Sequence, residues 1–457
     1  MNKQKSTCGS NDAGLTIPES MLLRNWKIDL ISSIVLSGFV IAVFYHYILA
    51  GYFGLPYPYN TFLANPKIRF GDYINDYRIS VGLNPYFSSF WLHSNYYPFM
   101  NVFMYFFTLI PIKLSILLFL IIFGSFFTWF NYAHLKSDNR LATFKNVFIF
   151  SFMTYPFLIL VDRLNLEGWV FIFLGTFIFL YQKKQYTESA VFLALATCMK
   201  LSPLVFILMF LADKRYREII IIIAVVFSVS LISLLLLHGN FFDNLSFILN
   251  GFHLDKEPTI QPFFDYSNNL IQRGVSLFTF LKVIFNTTWL LDFLRVKSLL
   301  SMYVKTMLIL SCLMAFFVIF IEKTQWKRAA IIVLMLVLFP HISADYKLIH
   351  LFLPLALYIN HNEKSSRDKL YCVLFGFMMV PKCYMFISSM VSDVGHDVSI
   401  SVPINIATLL FLMGLLIYDG LFSEASKLER PSIKEQFREH LAAFKSQIGA
   451  MLPGFMR

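Results

Sequence analysis

The sequence is dominated by long apolar runs that are separated by short charged or proline-containing segments. The first run extends from Leu30 to Ala50, which is about the 20 apolar residues that a helix needs to cross a bilayer. Hydrophobic residues make up 57% of the 457 residues and charged residues 14%, whereas about 25% of the residues in a typical soluble domain are charged. The chain is therefore expected to be an all-α, polytopic integral membrane helix bundle of roughly 11–13 transmembrane segments.

The basic residues are concentrated in alternate connections between the apolar runs. Besides the segment before the first run, the basic loops lie near residues 136–145, 183–184, 214–217, 322–328 and 360–369. Because loops rich in lysine and arginine stay in the cytoplasm, these loops are assigned to the inside and loops 51–97 and 238–296 to the outside. The same loops account for the net charge of +11, so no nucleic-acid partner is expected.

This topology divides the chain into three parts. Residues 1–27 form a cytoplasmic N-terminal segment, residues 28–420 form the transmembrane domain, and residues 421–457 form a basic tail. The amphipathic pattern of the tail predicts that it lies on the cytoplasmic membrane surface. The protein is accordingly expected to be a multi-pass protein of the cell membrane, in contact with membrane lipids.

Two of the apolar segments are interrupted. Tyr97–Phe130 contains Pro111 and is interpreted either as one kinked crossing or as two helices. Ser189–Leu211 has basic clusters on both sides and contains Lys200-Leu201-Ser202-Pro203. A single crossing would place one basic cluster outside, whereas two half-helices would keep both inside. Because broken helices occur in membranes where they line a cavity, Lys200 is placed at the inner end of a cavity.

A few charged residues remain after the cytoplasmic loops are set aside, namely Asp72, Arg163, Lys200 and Lys347. Charges near membrane depth are costly and are usually functional. A carboxylate with several cations fits the transfer of a sugar from a lipid phosphate. The carboxylate removes the proton of the acceptor hydroxyl, and the cations stabilise the departing phosphate. Asp76, four residues after Asp72, is the alternative base and would share a helical face with it.

Five motifs, in this order, carry a resemblance to a known family. They are Phe70-Gly71-Asp72-Tyr73 with Gly82-Leu83-Asn84-Pro85-Tyr86, Tyr97-Pro98, Arg163-Leu164-Asn165, Met199-Lys200-Leu201-Ser202-Pro203, and Ser343-Ala344-Asp345-Tyr346-Lys347. Over about residues 30–420 the chain resembles the GT-C glycosyltransferases, specifically the bacterial polyprenyl-phosphate-mannose-dependent alpha-mannosyltransferases of glycosyltransferase family 87. Leu164 stands where the family tends to have glycine, and Tyr346-Lys347 where it tends to have two histidines. These differences from the family pattern affect the expected identity of the donor sugar more than the expected class of reaction.

The resemblance implies an inverting transfer from a polyprenyl-phosphate-linked sugar, with mannose expected, to a cell-envelope glycan or glycolipid on the outer face. It implies that Asp72 is the catalytic base, with Asp76 as the second candidate. The donor phosphate would contact Arg163, Lys200 and Lys347. Further substrate contacts are expected from Asn165, Arg273, His350 and Tyr73. No cofactor and no metal site are expected.

The same residues also admit structural interpretations. Arg163 is able to pair with Asp162 or Glu167 at a helix boundary, and Lys200 is able to extend to the membrane interface. For the whole protein, the alternatives are a transporter or flippase for a polyprenyl-linked glycan, a surface polysaccharide polymerase, and a non-enzymatic scaffold. A transporter is expected to carry matched broken helices in both halves, and the sequence shows one, at Lys200.

Overall fold

The computed structural model describes residues 19–87, 94, 96–137, 139–251, 273–287, 296–387, 398–422 and 432–451. Their secondary structure is helical apart from one two-stranded antiparallel sheet. In that sheet β1 (Phe386–Ile387) pairs with β2 (Val398–Ser399), and Phe386 is opposite Ser399. The expected all-α architecture is therefore confirmed.

The α-helices are, in chain order, α1 (Glu19–Gly51), α2 (Gly71–Ser80), α3 (Pro98–Thr108), α4 (Ile112–Leu135), α5 (Arg140–Phe152), α6 (Tyr155–Arg163), α7 (Glu167–Gln182), α8 (Tyr186–Met199), α9 (Ile207–Ala212), α10 (Tyr216–Leu236), α11 (Phe241–Gly251), α12 (Leu277–Thr287), α13 (Val296–Phe316), α14 (Gln325–Leu338), α15 (Phe352–Ile359), α16 (Asp368–Met378), α17 (Ser401–Phe422) and α18 (Ile433–Met451). Short 3-10 helices occupy Pro66–Ile68, Val81–Leu83, Ser202–Phe206 and Asp345–Leu351, and a π-helical turn extends α13 over Phe317–Ile321.

Five helices of the described part are long and apolar enough to cross a membrane, namely α1, α4, α10, α13 with its π-turn, and α17. The consecutive helices α5 and α6 form a sixth span if they are counted as one, with a bend of 47° between them. Other segments expected to cross, including α7, α14 and α15, are present as shorter helices. The chain is thus a polytopic membrane protein that combines long spans with short and broken helices.

Proline decides how the segment from Tyr97 to Phe130 folds. Helix α3 ends at Thr108 and α4 begins at Ile112, with Pro111 in an extended conformation directly before α4. Because proline lacks a backbone N–H and fits the start of a helix, the segment forms two helices, which is one of the two expected alternatives. The loops expected at 51–97 and 238–296 contain the helices α2, α11 and α12 in their described parts.

The break expected at Lys200 is present and turns the chain back on itself. Helix α8 ends at Met199, Lys200 is extended, and the chain returns through Ser202–Phe206 and α9. The guanidinium of Arg215, after α9, lies 4.0 Å from the ring centroid of Tyr186, at the start of α8. The two ends of this hairpin therefore lie side by side, and Lys200 is at its tip.

Phenylalanines of α4 hold α6 and α7 in place. Phe119, Phe123 and Phe127 are spaced by four residues, so they lie on one face of α4, and all three are fully buried. Phe157 of α6 stacks on Phe127 with 4.9 Å between ring centroids, and Phe171 of α7 meets the same ring at 5.5 Å. This packing fixes the position of the short connection between α6 and α7.

The basic loops gather at one end of the bundle. The buried Lys27 ammonium lies 3.7 Å from Asp368, and Arg328 bonds to Asp213 at 2.7 Å. Helix α10 begins near this end. Its far end lies by the 3-10 helix after α2, where the backbone N–H of His238 donates to the carbonyl of Leu83. The basic loops and the region around α2 are thus at opposite ends. Residues 1–18, 423–431 and 452–457, in the terminal segments assigned to the cytoplasm, lie outside the described part. The division of the chain at residues 27/28 and 420/421 stays a prediction.

Candidate active site

The connection between α6 and α7 is three residues long and strongly constrained. Leu164 follows α6 in a left-handed conformation with φ of 53° and is fully buried. The Asn165 side-chain oxygen accepts the backbone N–H of Glu167 at 3.0 Å, which satisfies one of the free amides at the start of α7. The amide nitrogen of the same side chain is left to donate elsewhere.

The Asp72 carboxylate accepts a hydrogen bond from this amide nitrogen. Its Oδ2 accepts the Asn165 amide at 2.8 Å, and its Oδ1 accepts the Arg163 guanidinium in an ion pair. The backbone N–H of Phe70 donates to the carbonyl of Asp162 at 2.9 Å, which ties the start of α2 to the end of α6. The Asp72 and Arg163 side chains are 21% and 20% exposed. The ion pair is therefore partly buried and open on one side.

Glu167 is the second carboxylate of the site. It begins α7, and its side chain is 2% exposed. One carboxylate oxygen accepts the Lys200 ammonium at 2.7 Å, and the other is 2.9 Å from His350 Nε2. Glu167 therefore connects the tip of the hairpin to the 3-10 helix that precedes α15.

Lys347 adds a third cation. Its side chain is 4% exposed, and its ammonium makes one long hydrogen bond, 3.4 Å, to the carbonyl of Ile342. Burial, together with the neighbouring charge of Lys200, lowers the pKa of Lys347 to about 7, and Glu167 partly offsets both effects. Lys347 thus lies within electrostatic reach of the Glu167–Lys200 pair.

Asp76 and two tyrosines complete the cluster. Burial raises the pKa of Asp76, the neighbouring Asp72 charge raises it further, and Lys200 opposes both. Burial likewise raises the pKa of Tyr96 and of Tyr346, and the charges of Asp72 and Glu167 add to both shifts. Both phenols therefore keep their protons and are hydrogen-bond donors beside the carboxylates.

Arg273 and Tyr73 have other surroundings. Arg273 Nη1 donates to the Tyr155 hydroxyl at 3.0 Å and lies 3.6 Å from Asp345. It forms an adjoining cluster, because Arg163 is close enough to Asp345 to affect its pKa. Tyr73 is fully buried, and its hydroxyl bonds to Ser115 of α4 at 2.6 Å. Its position is that of a packing residue, out of reach of a substrate.

The chemistry available at this end of the bundle is that of carboxylates and cations. Asp72, Asp76 and Glu167 lie close to Arg163, Lys200 and Lys347, and the phenols of Tyr96 and Tyr346 are near the carboxylates. Within the described ranges no three His, Cys, Asp or Glu side chains are grouped as metal ligands. Such a site is able to remove a proton from a hydroxyl and to bind an anionic group such as a phosphate.

Comparison with known families agrees with this chemistry. The model of glycosyltransferase family 87 matches residues 95–340, which is more than half of the chain. The chain belongs to glycosyltransferase family 87. It is therefore a membrane glycosyltransferase. No curated protein matches the sequence significantly.

The matched range of family 87 contains Arg163, Glu167 and Lys200 and ends before Lys347. The structure brings most of the predicted residues together in one cluster, namely Asp72, Asp76, Arg163, Asn165, Lys200, Lys347 and His350. Arg163 pairs with Asp72 and not with Asp162 or Glu167, and Asp162 instead bonds to Arg69 at 3.2 Å.

The structure adds Glu167, Tyr96 and Tyr346 to the cluster. From the sequence, Glu167 is expected only as an alternative partner of Arg163, and the two tyrosines are not site candidates. For Glu167 a usable signal was present. It is a carboxylate at the start of an apolar helix, which is a charge near membrane depth.

Proposed function

We propose that this family 87 enzyme transfers a sugar, with mannose as the expected one, from a polyprenyl-phosphate-linked donor to a cell-envelope glycan or glycolipid. The observation that carries the proposal is the convergence of the Asp72 carboxylate with Arg163, Lys200 and Lys347 at one end of the bundle. The basic loops lie at the opposite end. If those loops are cytoplasmic, the reaction takes place on the outer face.

The bond changes follow from this arrangement. The acceptor hydroxyl attacks the anomeric carbon of the donor sugar while Asp72 takes its proton. The bond between that carbon and the phosphate oxygen breaks, and the phosphate leaves with the electron pair. A single displacement of this kind inverts the anomeric carbon. The departing polyprenyl phosphate needs no proton from a general acid.

The cations act on the leaving group. The negative charge on the phosphate grows as its bond to the sugar breaks, and fixed cations in a partly buried site stabilise that charge more than water does. Lys347 has no carboxylate within salt-bridge distance among the described residues, so its charge is available to an anion. Lys200 keeps part of its ammonium exposed, because its side chain is 31% exposed.

Asp72 is the better placed of the two candidate bases. Arg163 and Asn165 orient its carboxylate, and each oxygen retains a lone pair for the acceptor hydroxyl. Asp76 has no such partner in the described part, and burial raises its pKa. Asp76 is accordingly more often protonated, and a protonated carboxyl does not accept a proton.

The test is sugar transfer in proteoliposomes that contain the purified full chain. Polyprenyl-phosphate-linked mannose, glucose and galactose, each radiolabelled, are offered with membrane glycolipid acceptors. The proposal expects transfer of mannose by the wild type, loss of transfer in Asp72→Asn, and retained transfer in Asp76→Asn. Asp29→Asn is the control, because Asp29 is 61% exposed near the basic loops.

Each outcome of this assay is decisive. An active Asp72→Asn variant with an inactive Asp76→Asn variant would assign the base to Asp76. Transfer of another sugar would correct the donor, and no transfer from any polyprenyl phosphate would refute the donor class.

A further inference from the structure

Glu167 is the most buried carboxylate of the cluster, and the transfer reaction leaves it without a task. Its side chain is 2% exposed, whereas that of Asp72 is 21% exposed. Its two oxygens are taken up by Lys200 and His350. A group with both oxygens engaged and almost no exposed surface is not in contact with a substrate.

The two lysines near Glu167 still have N–H groups that are able to bind an anion. An ammonium has three N–H donors, and Lys200 uses one of them on Glu167. Lys347 is buried nearby and contacts the carbonyl of Ile342. Two buried or half-buried cations side by side are unfavourable without an anion, and Glu167 is that anion when no phosphate is bound.

We propose that Glu167 is a positioning residue for the donor phosphate. It holds the Lys200 ammonium at the tip of the hairpin and favours the charged form of Lys347 before the donor arrives. The donor phosphate then binds to the remaining N–H groups of these two lysines. This inference rests on the proposed function and assigns to Glu167 a role that acts through other side chains.

The pH dependence separates this role from a purely structural one. Glu167 raises the pKa of Lys347, so its removal lets Lys347 lose its proton at a lower pH. In Glu167→Gln, the alkaline limb of kcat/KM for the donor should therefore move to lower pH. The KM for the donor should rise by about 30-fold or more, and the KM for the acceptor should stay unchanged.

The experiment compares Glu167→Gln, Lys200→Gln and the double variant in the transfer assay. Because Glu167 acts through Lys200 and Lys347, the loss in the double variant should be smaller than the two single losses added together. Glu188→Gln is the matched control, since Glu188 is an exposed glutamate in the first turn of α8. Thermal unfolding of each variant shows that the fold is retained, and Glu167→Asp replaces Glu167→Gln if the latter does not fold.

The outcomes distinguish the two proposals. Wild-type transfer with an unshifted pH profile and an unchanged donor KM in Glu167→Gln would overturn the role of Glu167 and leave the function intact. Losses that add up in the double variant would also overturn it. A wild type that does not use a polyprenyl-phosphate donor would overturn the proposed function itself.

A second, independent observation concerns α18 at the other end of the bundle. One face of this helix is docked on the protein: His440 Nδ1 lies 2.6 Å from the Tyr216 hydroxyl, and the side-chain oxygen of Gln447 accepts the backbone N–H of Arg217 at 3.1 Å. Both contacts are at the start of α10, which is one of the long spans. Helix α18 is therefore held at the membrane boundary.

The surface of α18 that does not contact the protein has an apolar stripe and a neighbouring basic stripe. Phe437, Leu441 and Phe444 are 61%, 46% and 44% exposed, and at 3.6 residues per turn they form one stripe beside the docked face. The next stripe around the helix contains Lys434, Arg438 and Lys445, all exposed, whereas Glu435 and Glu439 lie on the far side.

We infer that this surface binds anionic phospholipid in the membrane leaflet at this end of the bundle. An apolar stripe bordered by cations fits the boundary between acyl chains and headgroups, and each lysine or arginine near an anionic surface adds to the affinity. The position at the start of a membrane span places the stripe at that depth.

Native mass spectrometry of the full chain with added phosphatidylglycerol or phosphatidylcholine tests this inference. The triple variant K434Q/R438Q/K445Q should bind phosphatidylglycerol about 100-fold more weakly, and phosphatidylcholine equally well. K183Q/K184Q, in another basic loop, is the control and should retain phosphatidylglycerol. The inference would be overturned if the wild type and the triple variant retained phosphatidylglycerol equally. It would also be overturned if the protein formed a dimer through this face in place of binding lipid.

Discussion

The Asp72 carboxylate and the Arg163 guanidinium form an ion pair across 91 residues of sequence. Asp72 lies in the first turn of α2, and Arg163 is the last residue of α6. A cation at the C-terminal end of a helix and an anion at the N-terminal end of another both match the helix dipoles. The pair therefore joins two helix ends that would each favour these charges.

Arg163 should be required for the chemical step. Arg163→Gln removes the partner that orients Asp72 and should lower kcat by about 100- to 1,000-fold. Arg163→Lys should be intermediate, because lysine keeps the charge but not the fork that also donates to the carbonyl of Ile68 at 3.2 Å. Arg69→Gln, which breaks a half-exposed pair with Asp162, is the control in proteoliposome assays. A Gln variant with unchanged kcat would contradict this prediction.

Asn165→Asp should separate the two roles of Asn165. The new carboxylate still accepts the backbone N–H of Glu167, so thermal unfolding should change little. It no longer donates to Asp72 and places a second negative charge 2.8 Å from it. We expect transfer to fall by at least about tenfold. Retained activity in a stable Asn165→Asp protein would show that Asp72 does not need this hydrogen bond.

Donor binding should weaken as the pH rises through about 7. Burial lowers the pKa of Lys347 to about 7, so its ammonium is charged below that pH and neutral above it. The KM for the donor should therefore increase between pH 6 and pH 8, and Lys347→Arg should flatten this rise because arginine stays charged. The measurement is the donor KM at each pH. The same pH dependence in wild type and Lys347→Arg would assign it to another group.

Tyr73→Phe should affect stability and not catalysis. The substitution removes the buried hydrogen bond to Ser115, which should cost about 1 kcal/mol of the free energy of unfolding. The transfer rate should stay at the wild-type level, because Tyr73 is fully buried. Tyr47→Phe, at a site that is 73% exposed, should change neither quantity. A selective loss of transfer in Tyr73→Phe would place its hydroxyl in the site.

The sequence predicts those features that depend on local patterns. The broken helix at Lys200 follows from a lysine and a proline between two basic clusters, and the helix start at Ile112 follows from Pro111. Asp72 and Asp76 share a face because they are four residues apart. Tyr73 is adjacent to Asp72 in the sequence, but successive residues of a helix point about 100° apart, and its buried hydroxyl bonds to Ser115 of α4.

The remaining features depend on contacts between distant residues. Glu167 meets His350 across 183 residues, and no local pattern encodes that meeting. Tyr96 and Tyr346 belong to the cluster because the segment before α3 and the 3-10 helix before α15 converge on Asp72 of α2 and Glu167 of α7. Their residue type matches many other tyrosines at membrane interfaces, so the sequence alone does not distinguish them.

The bond between Glu167 and His350 also has a consequence for the timing of synthesis. A ribosome adds about 5–20 residues per second, so His350 is made roughly 10–40 seconds after Glu167. During that interval Lys200 is already available to neutralise Glu167, whereas Lys347 and His350 do not yet exist. If Lys347 and His350 support donor binding as proposed, the nascent chain stays inactive at least until residues 347–350, which lie in its last third, have been made and inserted.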